Sequence, residues 1–214
     1  NSSDYLPIKV YKDLPVDPLS SISSVLAKMG EGEGAVIQIL ISPAPSTWKK
    51  KGRAYVAKTK KAEANPETAK YAADTKELEG VENKISKPGF NTVVRIVVSS
   101  STKDSAQAHL ENIIHAFSQY EGINSFSRNS LFFKNWFVTD FVYRYWPLRG
   151  QTSVLSSEEL ATIFHFPNKS VSTPGIHTVM SKRAPAPARI PESGLYLGKS
   201  SFRGITKKVF MEKD

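Results

Sequence analysis

Hydrophobic and polar positions along the chain mark out a succession of helices and strands. Leu19, Ile22, Val25, Leu26 and Met29 recur on one helical face, with Asp17 placed to cap, Pro18 at the first helical position and Gly30 placed to end the helix. Ala35 to Ile41 is a β-branched run broken only by Gln38, which predicts a strand covered on much of both faces. After Pro43-Ala44-Pro45, Ser46 or Thr47 can cap a second helix near Trp48. Asn91 to Ser99 is a second strand, again with one polar break, Arg95. Thr102 or Asp104 can cap the next helix, on which Ala106, Leu110, Ile113, Ile114 and Phe117 share a face. Ala62 to Lys87 is polar and rich in Ala, Glu and Lys, and fits either an exposed helix or a flexible excursion.

The two strands resemble each other. Val36 to Ser42 aligns with Val93 to Ser99, each residue 57 positions before its match, and each strand leads into a long helix. The economical arrangement is an α+β fold of two similar strand-helix halves that share or face sheets. The chain then divides into an extended arm (1–16), a first half with a basic helix and a polar excursion (17–88), a second half (89–167), and an extended Pro-rich strap with short strands (168–214).

Two further segments have their own signatures. Between Ile123 and Pro147 lie nine aromatic residues, and Phe133, Phe137, Phe141 and Tyr145 step by four. That spacing predicts a buried helix; a base-stacking platform with Arg128, Lys134 and Arg144 is the rival. At Leu155-Ser156-Ser157-Glu158-Glu159-Leu160, Ser156 and Glu159 form a capping box, with Leu155 and Leu160 at the hydrophobic-staple positions. Its two glutamates need no catalytic role. Further on, Pro185, Pro187 and Pro191 suggest a polyproline-like strap, and Leu195 to Leu197 and Ile205 to Met211 read as short strands around a turn-prone Gly198 to Gly204.

Composition narrows the chemistry. Cysteine is absent, which excludes disulfides, thiolate catalysis and Cys-based zinc sites. No apolar run reaches the roughly 18 residues of a membrane span. No HExxH, GxSxG or GxGxxG occurs, and His109 and His115 lie about 120° apart on their helix, which is unsuited to joint chelation. Gly198-Lys199-Ser200 matches the end of a phosphate-binding loop, but the upstream glycine that loop requires is replaced by Ser193. No catalytic, cofactor-binding or metal-binding residues are therefore assigned, and no cofactor is expected in this chain.

The charge is +9, and Lys49, Lys50, Lys51, Arg53, Lys58, Lys60 and Lys61 stand together with no acid between Trp48 and Lys61. These seven are the candidate phosphate- or anion-binding residues. They suit a nucleic acid or an anionic membrane surface; the ordinary alternative is a solvated helix face.

Ser153 to Pro167 resembles the segment that precedes the motor domain in type IV secretion (conjugative DNA transfer) ATPases of the HerA/FtsK-like P-loop superfamily. Thr173-Pro174-Gly175-Ile176, Lys182 to Pro187, Gly194-Leu195-Tyr196-Leu197-Gly198 and Phe202-Arg203-Gly204 follow in the family's order. Upstream, Asp17 to Gly34, Pro43 to Arg53 and Phe90 to Tyr120 are also similar to the amino-terminal region of such proteins. The resemblance implies a non-catalytic docking or assembly domain of an ATPase, at the inner, cytoplasmic face of the cell membrane. Its partners would be secretion-channel proteins or other ATPase subunits, with DNA or protein as cargo. Tyr5 to Val16 would connect to an upstream membrane segment. The motor, with its ATP and Mg, would follow Asp214, so the chain is expected to be an amino-terminal fragment.

Overall fold

A computed structural model of the chain describes residues 3–64, 75–129, 134–147, 152–166, 185, 187 and 189–212. The fold is α+β, in two compact units, Asn1–Ile176 and His177–Asp214. The first unit contains α1 (Pro18–Leu26), β1 (Gly34–Pro43), α2 (Thr47–Glu63), α3 (Thr75–Ser86), β2 (Gly89–Ser99), α4 (Lys103–Phe117), α5 (Lys134–Val142), β3 (Ser153–Ser156) and α6 (Ser157–Ile163). The second holds a hairpin of β4 (Leu195–Phe202) and β5 (Ile205–Met211). Among the described residues no helix is long and apolar enough to cross a membrane.

The strands predicted as two halves form one sheet in the order β1-β2-β3. β1 and β2 are antiparallel, and Gln38 stands opposite Arg95. These are the two polar breaks seen in the sequence, so the 57-residue repeat places matching residues face to face at the centre of the ladder. Among the described residues β3 pairs with Gly89 to Thr92 of β2.

One face of the sheet carries Ala35, Ile37, Ile39, Val94, Ile96 and Val98. They pack on Ile22, Ile113, Phe117, Tyr120, Leu155 and Ile163 from α1, α4, β3 and α6 and the turn after α4. Phe126 joins this core, edge-on to Phe117 and Tyr120. Asp17 caps α1 by accepting from the Leu19 N–H at 2.9 Å, and Thr102 caps α4 by accepting from Ser105. α1 ends at Leu26, before the Met29 expected from the pattern. The predicted double coverage of the first strand is corrected by the structure. Val36 is 51% exposed and Ile41 52%, because β1 lies at the sheet's edge.

α2 and α3 close a second core of Val56, Leu78 and Val81, with Tyr5, Leu6, Tyr55 and Ile85 around it. The structure thus resolves part of the Ala62–Lys87 ambiguity: Thr75–Ser86 is a helix with a buried face, while 65–74 lie outside the described residues. Gly52 permits this approach, since a Cβ there would lie 2.6 Å from Ile85 Cγ2.

The aromatic segment departs from expectation. Phe137 and Phe141 are half-buried, but Trp136, Val138, Val142, Tyr143 and Tyr145 are exposed, so α5 is no buried helix. Phe132 and Phe133 lie outside the described residues, as do Thr173–Ile176 and most of the Pro-rich strap. In the hairpin, Arg203 and Gly204 both have positive φ (48° and 83°), as a two-residue turn between twisted strands requires. Gly198-Lys199-Ser200 lies within β4, where Gly198 marks an irregularity in the β4–β5 register, and no helix follows among the described residues.

Candidate functional site

The seven candidate anion-binding cations all lie on α2. Trp48, Gly52, Val56 and Thr59 face inward. At 100° per residue the cations fan over roughly 200° of the opposite side. Lys50, Lys51, Arg53, Lys58, Lys60 and Lys61 are exposed, and Lys49 lies half-buried with its ammonium 5.5 Å from the centre of the Trp48 ring. Lys60 is spoken for: it donates to Glu82 Oε1 of α3 at 2.7 Å, and that bond raises its pKa. Lys50, Lys51, Arg53, Lys58 and Lys61 form no ion pair with described residues. The face is broad and convex, with charges splayed apart. Such a surface suits a string of phosphates better than one small anion.

α3 beside it supplies the opposite charge. Tyr55 of α2 donates to Glu77 Oε1 at 2.5 Å, and this bond, with burial, raises the Tyr55 pKa to about 12. The basic face therefore has an acidic border at Glu77 and Glu82.

A second constellation was not assigned from the sequence. Lys84 and Glu159 meet at 3.2 Å with side chains only 1% exposed. Glu159 Oε2 accepts from the Ser156 N–H at 2.7 Å, completing the predicted capping box, and Oε1 accepts from the Ile8 N–H at 2.9 Å. Lys84 Nζ donates to the Leu6 carbonyl at 2.9 Å. Burial, first, pulls the Lys84 pKa down, and the facing Glu159 opposes it. The pair pins the amino-terminal arm between α3 and α6. The arm is also held by Lys9 N–H to the Tyr120 carbonyl at 3.0 Å and Tyr11 N–H to Thr162 Oγ1 at 3.0 Å.

The pair lies at the base of a cleft of about 490 Å³ whose rim carries Lys9, Lys12, Asp13, Glu79 and Glu158. Glu158 is held by Lys12 at 2.8 Å and by Lys87. With both functional groups engaged and shielded, Lys84 and Glu159 form a structural clasp. No sequence spacing links them, since they stand 75 positions apart; the apolar surroundings of Lys84 on its helix were the one available signal.

Two histidines take ordinary roles as partners of carboxylates. His109 Nε2 is 3.0 Å from Glu33 Oε2, and His165 Nε2 is 3.1 Å from Asp17. Glu33 also accepts from Ser100, the Gly30 N–H and Ser105, and these bonds, Ser100 first, lower its pKa to about 2. Among the described residues no group of three or more His, Asp or Glu is placed to hold a metal ion.

These features define a small α+β domain with a three-stranded antiparallel sheet and an exposed cationic helix. A family model described as Domain of unknown function (DUF8128) matches residues 1–179, and the chain belongs to that family. No curated protein and no solved structure matches it.

Proposed function

We propose that the chain is a non-catalytic docking and assembly domain of a type IV secretion ATPase involved in conjugative DNA transfer. It would link the motor to the secretion channel or to neighbouring subunits at the cytoplasmic face of the membrane. The observation that carries this reading is the ordered series from Leu155 through Gly204. Where that series is described, its local structure is compatible: Ser156 caps α6, and Leu195 and Phe202 bound one strand of a hairpin. Hydrolysis, with ATP and Mg, belongs to a motor outside this chain. The test is the source reading frame, which should continue past Asp214 into a P-loop motor domain. A frame without one removes the proposal.

The exposure of Lys50, Lys51, Arg53, Lys58 and Lys61 supports a second reading, a sequence-independent nucleic-acid-binding module. DNA of any sequence should bind at low salt, and affinity should fall steeply as salt rises. Replacing Lys49, Lys50 and Lys51 with glutamate should reduce binding at least tenfold, as measured by fluorescence anisotropy. Unchanged binding would assign the cations to solvation.

A further inference from the structure

Among the described residues no strand pairs with the outer edge of β1, and the backbone polarity of that edge follows from one hydrogen bond. The Ala44 N–H donates to the Gly89 carbonyl at 3.0 Å, and these two positions continue the β1–β2 register. In an antiparallel ladder the bonded positions alternate, so even-numbered residues of β1 direct their N–H and C=O to β2. Ala35, Ile37, Ile39 and Ile41 direct theirs outward. Among the described residues, β2 is the one strand paired with β1.

Folded proteins ordinarily blunt such an edge with charge, proline, a bulge or brevity. β1 uses none of these along its length. It runs ten residues, has no charged side chain, and carries its one proline at the last position. Val36 and Ile41 are both about half exposed on it.

We propose that β1 pairs antiparallel with β1 of a second copy of this chain, joining two three-stranded sheets into one of six strands. Antiparallel pairing about a two-fold axis at Gln38 sets each residue against another of the same strand, and β1 is self-complementary about that point: Ile37 stands against Ile39, Val36 against Leu40 and Gln38 against its own copy. That match, on a strand with no charged side chain, points to a second copy as the occupant. The polarity of the edge also selects a register. With Gln38 opposite Gln38 of the second copy, all four outward residues find partners. Ala35 meets Ile41, and Ile37 meets Ile39, giving about eight hydrogen bonds. Val36 then faces Leu40 in a non-bonded pair, which covers its exposed side chain. This pairing does not depend on the docking role proposed above.

The first measurement is the solution mass of the 214-residue chain by sedimentation velocity. The expected result is a species of twice the 23.7 kDa chain mass, returning to one chain mass in V36K/I41K. Both substituted sites are half exposed, so the chain's own core does not need their methyl groups. The second measurement uses the absence of cysteine. V36C and L40C, prepared separately and then mixed under mild oxidation, should form a disulfide-linked dimer, because non-bonded antiparallel pairs bring Cβ atoms to about 4.5–5.5 Å. Neither variant alone should do so. A single-chain mass for the unmodified protein, a dimer that survives V36K/I41K, or cross-linking without preference for the mixture would each overturn the proposal.

Discussion

Lys84 shows how much one buried charge constrains this fold. Its ammonium is out of water and is held by the Leu6 carbonyl and Glu159. Isolating either member of such a pair costs about 3–5 kcal/mol, because the survivor keeps its charge without its partner. K84M should therefore lower the unfolding free energy by about that amount, read from urea melts. K84M/E159Q should recover part of the loss, since glutamine brings no charge and keeps an amide oxygen for the Ile8 or Ser156 N–H. A double variant as unstable as the sum of the single ones would mean that the two groups act independently. Residue-level features differ in how visible they were. The Ser156–Glu159 box was legible because its partners are three residues apart and their bonds depend on local backbone alone. The Lys84 clasp was hidden because its energy comes from burial, which only the folded arm, α3 and α6 together create.

At the scale of elements, the Gln38–Arg95 pair explains how α5 can present aromatic side chains to solvent. The buried Arg95 guanidinium donates to Gln38 Oε1 at 3.0 Å, to the Asp140 carbonyl at 3.0 Å and to the Tyr145 carbonyl at 2.8 Å. Gln38 Nε2 donates to the Phe141 carbonyl at 3.0 Å. Arg95 and Gln38 thus satisfy carbonyls at the carboxyl end of the helix, where the last ones lack helical partners. The chain turns there through Arg144 at φ 57°, with Tyr145 N–H bonded to the Asp140 carbonyl at 2.9 Å. Polar backbone faces the sheet, and Trp136, at 69% exposure, faces out. R95M should loosen α5 selectively. Hydrogen exchange of the 138–145 amides should accelerate at least tenfold, while the β1–β2 ladder keeps its protection. Equal protection of α5 in the variant would show that the aromatic contacts alone hold it. The sequence displayed both polar breaks and the spacing of the phenylalanines. It did not display that the breaks meet across a ladder, so the four-residue step read as burial, whereas of its described members Phe137 and Phe141 are half-buried and Tyr145 is exposed.

For the whole molecule, two boundaries obtained independently nearly coincide. The compact unit ends at Ile176 and the family match at residue 179. Every residue of both hydrophobic clusters lies at or before Ile163. The 38 residues from His177 onward carry eight basic and three acidic side chains, and none of those described belongs to either cluster. Their two-stranded hairpin matches a pattern that is marginal in isolation. A chain ending at Ile176 should therefore keep cooperative unfolding and lie within about 1 kcal/mol of the full chain, well inside the 5–15 kcal/mol typical of whole domains. Its far-UV spectrum should lose strand signal while the thermal transition stays sharp. The corresponding peptide from His177 to Asp214 should show no cooperative transition of its own. If the truncated chain melts broadly, the family boundary is not a folding boundary, and the last 38 residues take part in holding the sheet together. The same two pieces separate the charge questions. Nucleic-acid affinity retained by the shorter chain would trace to α2, whose cations it keeps entire, whereas affinity that leaves with the peptide would move the anion-binding surface to the basic hairpin.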